Sequence, residues 1–347
     1  MIPQPVTPSP SPYPKVELHV HLEGSADAKT LIELAKSGRT PHNLPTLDPD
    51  ALRSKLVCRD FRAFLDVWDW LRDLWGDPEN LSMMTRSYLE RAAARNVHYV
   101  EFRFNLVGPV HRGLPLWAGL EAIAAARRQA FQDLCIRSSL LIGHSRHRPQ
   151  EGLSTVALAI QAVERGLASG IDLSGDETRY PISCYHDPFD KAHSAGLRIT
   201  VHAGEWVGPQ SVWGAVRQLY AERIGHGVRA IEDPELIQHL RREGVTLEVC
   251  PTSNVCTGVY ASLAQHPIRL LYEAGLRVTV SSDDPPLFGT DIDREYALLE
   301  SVYGFSPREV AEVTLNAVEA AFLSEGERSI LKQKVLEGYR TLGVDVA

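Results

Sequence analysis

The segment GLRITVHAGE, residues 196–205, contains the pattern that decides the fold. A glycine precedes a short run rich in branched apolar residues, and the run ends close to a histidine, His202. Apolar runs of this length are typical of parallel strands that are buried on both faces of a sheet. The glycine fits the left-handed end of a preceding helix. The segment therefore predicts one helix–strand unit of an α/β protein.

Seven further segments repeat the pattern along the chain. The eight predicted strands are Val16–His21, Val97–Phe104, Ile136–Ile142, Gly170–Ser174, Leu197–Ala203, Arg223–Gly227, Val245–Cys250 and Leu276–Ser282. The predicted helices between them are Pro115–Leu134, Glu151–Ala168, Ser211–Glu222, Asp233–Glu243 and Pro267–Ala274, and two more follow within residues 304–347. Eight alternating units predict one α/β domain over residues 15–347, a single (β/α)8 TIM-type barrel.

The stretch between the first two strands, residues 25–96, is longer than one crossover helix. It predicts a helical insertion after strand 1, on the catalytic face of the barrel. Large apolar residues recur in it at helical spacing: Phe61, Phe64, Leu65, Trp68, Leu71 and Trp75. We expect most of them to be packing residues and some of the aromatic rings to cover a substrate pocket. Residues 1–14 contain six prolines and predict a flexible tail.

Composition excludes several classes of protein. The formal charge of −8 does not favour phosphate backbones, so we expect no nucleic-acid partner. No apolar run reaches the ~20 residues of a membrane span, so we expect no membrane partner. Five cysteines without C-x-x-C spacing indicate neither a disulfide framework nor a zinc ribbon. A small-molecule partner and a reduced, cytoplasmic location are the expectation.

Ionisable residues stand at the ends of four predicted strands. His19 and His21 are two residues apart and share one face of strand 1. His202 and His226 end strands 5 and 6, and Asp283-Asp284 follows strand 8. Taken singly, each has a plainer explanation as a hydrogen-bonded core or turn residue. Together they converge on one mouth of a parallel barrel, where three imidazoles and one carboxylate are typical of a catalytic zinc site.

Six segments, in order along the chain, carry a resemblance to a known family. They are PKVELHVHLEGS, DLSGDE, VHAGE, RIGHGV, LEVCPTSN and SSDDP. Together they resemble adenosine deaminase and its relatives in the amidohydrolase superfamily, over residues 14 to past 320. The resemblance implies one zinc ion per chain, and its ligands would be His19, His21, His202 and Asp283. The segment IDLSGDET has no lysine to bridge a second metal, which favours a single ion.

The resemblance also implies roles in catalysis. Water activated by the zinc attacks C6 of a purine, Glu205 donates a proton to N1, and ammonia leaves. His226 orients or deprotonates the attacking water, and Asp283 shares that task. The substrate-binding residues would be Asp284 for N7, the backbone of Gly175 for N3, and His21 and Glu23.

Glu23 bears on which purine is the substrate. Adenosine deaminases generally have aspartate here, next to the 5′-hydroxyl of ribose, whereas adenine and aminodeoxyfutalosine deaminases have glutamate. The run from His202 to Gly227 resembles the aminodeoxyfutalosine group most. The prediction is zinc-dependent hydrolytic deamination of adenosine or 6-aminodeoxyfutalosine to the 6-oxo product. The alternatives are deamination of free adenine and a non-catalytic purine-binding barrel. Glu23 also has an alternative role, in which it supports the zinc histidines.

Overall fold

The computed structural model describes residues 11–38, 44–58 and 61–346. The strands are β1 (Lys15–His21), β2 (Val97–Asn105), β3 (Arg137–Ser145), β4 (Gly170–Ser174), β5 (Arg198–Ala203), β6 (Arg223–His226), β7 (Thr246–Val249) and β8 (Arg277–Val280). They form one sheet in sequence order, and every neighbouring pair is parallel. This arrangement confirms the predicted barrel.

The barrel closes through a residue of the predicted site. Val20 of β1 forms an isolated parallel bridge with Asp283, just beyond β8. The amide of His21 donates to the carbonyl oxygen of Asp283, and the amide of Asp283 donates to that of His19, each at 3.1 Å. Backbone pairing at the seam therefore brings Asp283 beside the histidines of β1.

Helices surround the sheet. In the described residues they are α1 (Ala28–Lys36), α2 (Pro49–Leu56), α3 (Phe61–Leu71), α4 (Pro78–Ala94), α5 (Val107–His111), α6 (Leu116–Leu134), α7 (Gly152–Glu164), α8 (His186–Ser194), α9 (Pro209–Gln218), α10 (Pro234–Glu243), α11 (Pro251–Cys256), α12 (Ile268–Glu273), α13 (Pro285–Phe288), α14 (Ile292–Ser301), α15 (Pro307–Ala320) and α16 (Glu325–Thr341). Four of them, α1 to α4, lie between β1 and β2 and confirm the helical insertion. The two closing helices, α15 and α16, were also predicted.

Local sequence signals explain where several helices begin and end. Asp233 caps α10 through the amides of Glu235 and Leu236, and Ser306 caps α15 in a reciprocal capping box with Glu309. Gly244 ends α10 at φ +67°, a left-handed conformation that glycine adopts without steric cost. The glycine at the end of α10 therefore sets the direction in which the chain enters β7.

The prediction for the last strand was too long, because Ser281 and Ser282 lie beyond β8. The amide and hydroxyl of Ser282 both donate to the buried carboxylate of Glu17 in β1. At Ser282 the carboxylate of Glu17 therefore takes the place of a backbone partner in the sheet, and the strand ends before this residue.

The predicted tail divides at the limit of the described residues. Residues 1–10 lie outside them, so the flexibility of that part stays a prediction. Tyr13 is buried, stacks on Tyr339 at 5.4 Å between ring centroids, and donates a hydrogen bond to Glu300. The end of the tail is therefore packed against α14 and α16. Nowhere in the described part of the chain is a helix both long enough and apolar enough to cross a bilayer.

Candidate active site

Three histidines and one aspartate meet where the strands end at the mouth of the barrel. The Nε2 atoms of His19 and His21 each lie 3.5 Å from Oδ1 of Asp283. Nε2 of His21 is 3.2 Å from Nε2 of His202. The structure therefore brings together the four residues that the sequence pointed to as metal ligands.

Buried carboxylates hold two of these histidines in position. Oε2 of Glu248 lies 3.0 Å from Nδ1 of His19, and Oδ2 of Asp172 lies 3.2 Å from Nδ1 of His202. A proton on each Nδ1 then leaves the lone pair of Nε2 directed into the mouth. Pairs of this kind are typical of histidines that bind metals.

The arrangement fits a zinc ion. Nε2 of His19 is buried and has no hydrogen-bond partner among the described residues. Ligand atoms of His19, His21 and His202 all lie within 4.8 Å of one another. Burial lowers the pKa of His21 to about 3, so its imidazole is neutral and able to bind a cation. Three imidazoles and a carboxylate are a donor set that suits zinc.

A second group of possible ligands overlaps the first. It combines His19 and Asp283 with the thiol of Cys250. Burial raises the pKa of the Cys250 thiol well above its usual range, so the thiol stays protonated. A metal binds the thiolate, which makes the three-histidine set the better site.

An ionic network lies directly beneath the mouth. Arg103 contacts both Glu248 and Asp172, and Arg223 contacts Glu248 at 2.7 Å and Glu101 at 2.5 Å. All five side chains are almost completely buried. Burial favours the neutral acid of Glu248, but the two guanidinium groups outweigh it and hold its pKa well below the usual range. Glu248 is therefore a carboxylate that can fix His19.

Glu205 lies beside His226 at the same mouth. Oε2 of Glu205 is 3.7 Å from Nε2 of His226, which is 3.9 Å from Oδ2 of Asp283. Burial raises the pKa of Glu205 well above its usual range, and the charges of Asp283 and Glu177 add to that effect. This carboxyl group keeps its proton to higher pH than an exposed glutamate does, as a proton donor requires.

The loop that carries Glu205 is held by another carboxylate. Glu177 accepts hydrogen bonds from the amides of Gly204, Trp206 and Val207, and from the hydroxyl of Ser211. Four donors on one buried side chain fix the backbone on both sides of Glu205. The position of Glu205 therefore depends on Glu177.

The side chain of Asn254 holds His226 in position. Its Nδ1 lies 3.2 Å from Nδ2 of Asn254, whose Oδ1 is 3.1 Å from Nε2 of His266. Burial lowers the pKa of His226 well below its usual range, and His19 adds to that effect. His226 and Asp283 both have left-handed backbone, at φ +61° and +64°. Such conformations are uncommon outside glycine and occur often at functional sites.

A pair of carboxyl groups forms another part of the mouth. Asp284 and Glu23 are almost fully buried, and Oδ1 of Asp284 and Oε2 of Glu23 have no hydrogen-bond partner among the described residues. Burial raises the pKa of Asp284 well above its usual range and that of Glu23 to about 7. A Cβ atom at Gly24 would lie 1.8 Å from Oδ1 of Asp284, so this position requires glycine.

Gly175 and the aromatic residues of the insertion were also predicted to lie near the substrate. Gly175 has φ +106°, and a Cβ atom there would come 3.2 Å from Nδ1 of His147. Its backbone is therefore accessible only because it has no side chain. In the insertion, Trp75 donates from Nε1 to the carbonyl oxygen of Glu23, and Phe64 stacks on Phe288, which ends α13. These two aromatic residues pack beside the Glu23–Asp284 pair.

Sequence analysis missed the residues that hold the others in place. Glu248, Asp172 and Glu177 lie inside segments that carried the resemblance, but we assigned them no role. One signal could have found two of them: an acidic residue within an otherwise apolar strand needs a buried partner. Glu177 follows a strand in a loop and has no such signal.

Known proteins with similar sequences share almost the whole length of this chain. A sequence model of the family described as Adenosine deaminase matches residues 14–338. The chain is 38% identical over 318 residues to an adenine deaminase of Rhizobium rhizogenes, covering 91% of this chain and 96% of the relative. It is 35% identical over 328 residues to an adenosine deaminase of Klebsiella pneumoniae, with 93% and 97% covered. An aminodeoxyfutalosine deaminase of Streptomyces avermitilis is 36% identical over 322 residues, with 92% and 89% covered.

Solved structures agree with these sequence relationships. An adenine deaminase from Arthrobacter aurescens superposes with a TM-score of 0.86 at 32% identity, covering 94% of this chain and 99% of the other. An amidohydrolase from Burkholderia ambifaria with bound zinc has a TM-score of 0.85 at 27% identity, with 96% and 92% covered. The chain is thus an enzyme of the deaminase type, a hydrolase acting on C–N bonds, and it belongs to the adenosine deaminase family of the amidohydrolase superfamily.

Proposed function

We propose that this protein binds one zinc ion and uses it to deaminate a 6-aminopurine hydrolytically. The observation that carries the proposal is the position of the Glu205 carboxyl group beside His226 and Asp283, at a mouth where three histidines converge. The ligands would be His19, His21, His202 and Asp283. When bound, zinc lowers the pKa of a water molecule, so that hydroxide is available near neutral pH.

The reaction adds water to C6 and expels ammonia. Glu205 donates its proton to N1, which draws electrons from C6 and makes that carbon a better acceptor for the incoming oxygen. The C–O bond forms as His226 takes a proton from the water, and that proton passes to the amino group. The C–N bond then breaks and ammonia leaves, while the proton of the C6 hydroxyl returns to Glu205 and the 6-oxo group forms. Glu205 can act in this way because its raised pKa keeps it protonated near neutral pH.

His226 supplies the complementary base. Its lowered pKa keeps the imidazole neutral, so that Nε2 can accept a proton from the attacking water. Asn254 fixes the ring from the opposite side at Nδ1, and Asp283 lies close enough to share the hydrogen bond to water. The acid and the base are thus adjacent groups whose surroundings shift their pKa values in opposite directions.

The purine ring would be oriented by three groups at the mouth, from Asp284, Gly175 and His21. Asp284 has a raised pKa, so its carboxyl group can donate a hydrogen bond to N7. The amide of Gly175 would donate to N3, and glycine allows the purine edge to approach the backbone there. His21 lines the same mouth and would contact the ring while binding zinc.

We propose adenosine or 6-aminodeoxyfutalosine as the substrate. Oε1 of Glu23 accepts a 2.6 Å hydrogen bond from the amide of Asn105, which fixes the carboxyl group and leaves Oε2 without a partner. A ribose hydroxyl would satisfy that buried oxygen. The relatives are named for three different aminopurines, and all three are about equally similar to this chain, at 35–38% identity. The proposed substrate therefore rests on Glu23 and its surroundings.

Free adenine is the second candidate, and a specific observation favours it. Glu23 is only 1% exposed, so a small ligand would reach Oε2 more easily than a large one. In that case the N9–H group of the base would donate to Glu23.

The test is a substrate panel of adenosine, 2′-deoxyadenosine, adenine and 6-aminodeoxyfutalosine, with ammonia release measured for the zinc-loaded protein. The proposal predicts turnover of at least one ribose-bearing substrate in preference to adenine. Preference for adenine would replace the first candidate with the second. Absence of turnover with all four compounds would leave the non-catalytic purine-binding barrel. The variant Glu23→Asp is informative in either case, because it shortens the one side chain on which the choice depends.

A further inference from the structure

A cavity of about 460 Å³ lies on the flank of the barrel, between the insertion and the segment that follows Asp284. The helices α1, α2 and α4 form one side of it, and α13 and α14 form the other. Its volume is within the range of small-molecule sites. None of the residues assigned to the zinc or the purine lines it.

The cavity lining is cationic although the protein as a whole is acidic. Five basic residues line it, against the two carboxylates of Asp27 and Asp291; the five are Lys29, Arg53, Arg91, Arg95 and Arg294. The two carboxylates are already paired, Asp27 with Arg91 at 3.3 Å and Asp291 with Arg95 at 3.1 Å. The surplus of positive charge therefore comes from the other three residues.

These three cations are available to a ligand. Among the described residues, Lys29 and Arg294 have no ion-pair partner, and Arg294 donates one hydrogen bond, from Nη1 to the carbonyl oxygen of Gly289. In the same part of the chain Arg53 pairs only with Asp50, on an exposed helix surface where both side chains are more than two-thirds exposed. Such a pair contributes little and exchanges readily for a stronger anion.

The backbone supplies further positive potential. Ala28, Pro49 and Ile292 line the cavity, and each is the first residue of a helix, α1, α2 or α14. The helices are nine, eight and ten residues long, and their positive N-terminal ends meet at this one place. Each of these helices has an aspartate cap, Asp27, Asp48 or Asp291, whose negative charge offsets part of that potential.

The rest of the lining is apolar. Leu56, Val57 and Ala92 lie on the insertion side, and Pro285 and Pro286 lie on the opposite side. A free inorganic ion would leave these surfaces in contact with water, whereas a ligand with an apolar body would cover them. The combination suits an anion that carries a compact hydrophobic group.

We propose that this cavity is a second ligand site and that it binds a small organic phosphate. The phosphate group would contact Lys29, Arg53 and Arg294, where guanidinium groups can bind phosphate oxygens in pairs. The organic part would contact the apolar surfaces. Pro285 and Pro286 follow Asp283 and Asp284 directly in sequence, so an occupied cavity would press on the segment that carries a metal ligand.

The test measures binding of phenyl phosphate, inorganic phosphate and neutral phenol to the zinc-loaded full chain by calorimetry at constant ionic strength. Phenyl phosphate should bind more tightly than inorganic phosphate, and phenol should not bind measurably. The triple variant Lys29→Gln/Arg53→Gln/Arg294→Gln should weaken phenyl phosphate at least about tenfold, as expected for the loss of charged hydrogen bonds. The single variant Arg53→Gln, on an exposed side chain, should weaken it in the same direction without affecting folding.

A matched control removes the same charge elsewhere. Lys332→Gln/Arg242→Gln/Arg340→Gln changes three exposed cations that are remote from the cavity and should leave the affinity unchanged. Equal weakening in both triple variants would overturn the proposal, because net charge alone would then explain binding. Unchanged affinity in the cavity variants would also overturn it, since the phosphate would then bind elsewhere, for instance at the zinc. Equal affinity for inorganic and phenyl phosphate would refute the apolar contact. None of these results depends on deaminase turnover.

Discussion

Two layers of charged side chains lie one above the other inside the barrel, and they are organised in opposite ways. In the lower layer Arg103 and Arg223 are surrounded by carboxylates, and Glu248 contacts both of them. In the upper layer the Nε2 atoms of His19, His21 and His202 face one another and Asp283. Every charged group of the lower layer lies within ion-pair distance of an opposite charge, whereas the facing nitrogens of the upper layer form a donor set that suits a cation. The comparison distinguishes residues of the lower layer, which position the site, from residues of the upper layer, which are available to bind a ligand.

Removing the metal should have the largest effect. A chelator should abolish turnover and lower the melting temperature, because the upper layer then loses the cation that offsets its facing nitrogens. His202→Ala should bind less than the one zinc per chain expected for the unmodified protein, measured by elemental analysis. His186→Ala, on an exposed histidine, is the control and should keep the zinc. Full turnover of a zinc-free protein would contradict the account.

Breaking the lower layer should cost stability. Glu248→Gln leaves two buried guanidinium groups short of a carboxylate, which should lower the free energy of unfolding by about 3–5 kcal/mol in urea titrations. Glu319→Gln breaks the exposed pair with Lys332 and should cost at most about 1 kcal/mol. Equal losses in the two variants would remove the distinction between the layers. Zinc affinity of Glu248→Gln should also fall, because Glu248 orients His19.

Loosening the Glu205 loop should affect catalysis more than binding. Glu177→Gln keeps the shape of the side chain but places an amide against three backbone N–H groups. We expect kcat to fall about 10- to 100-fold with little change in KM, because the proton donor is displaced while the purine contacts remain. Glu337→Gln, in an exposed ion pair with Arg340, is the control. A rise in KM with unchanged kcat would show that Glu177 does not position the acid.

The smallest effect concerns pH. Glu205 must be protonated to act, and its pKa is raised, so kcat/KM should fall as pH rises through that raised value. His226 must be neutral, and its pKa is lowered, so the loss of activity at low pH lies well below the ordinary histidine range. Glu177→Gln removes a negative charge that raises the pKa of Glu205. In this variant the high-pH decline of kcat/KM should therefore move to lower pH. A decline at the same pH as in the unmodified protein would exclude this electrostatic role.

The two layers also differ in how far sequence predicts them. The upper layer could be predicted, because histidines at the ends of buried strands violate the apolar pattern and converge in any parallel barrel. The pairing in the lower layer could not, because an acidic residue in an apolar strand signals a buried partner without identifying it, and Arg223 meets Glu101 of β2 only once the barrel has closed. The end of β8 was mispredicted for the same reason, since Glu17 competes for Ser282.

The measurement that tests the central claim most directly compares the unmodified protein with Glu205→Gln. Both would be loaded with zinc, analysed for metal content and assayed for ammonia release on the best substrate of the panel. Glutamine keeps the shape and the hydrogen-bonding capacity of the side chain but has no proton to transfer. The account predicts equal zinc content and a fall in kcat of about 10²- to 10⁴-fold. Equal zinc content with undiminished turnover would contradict it.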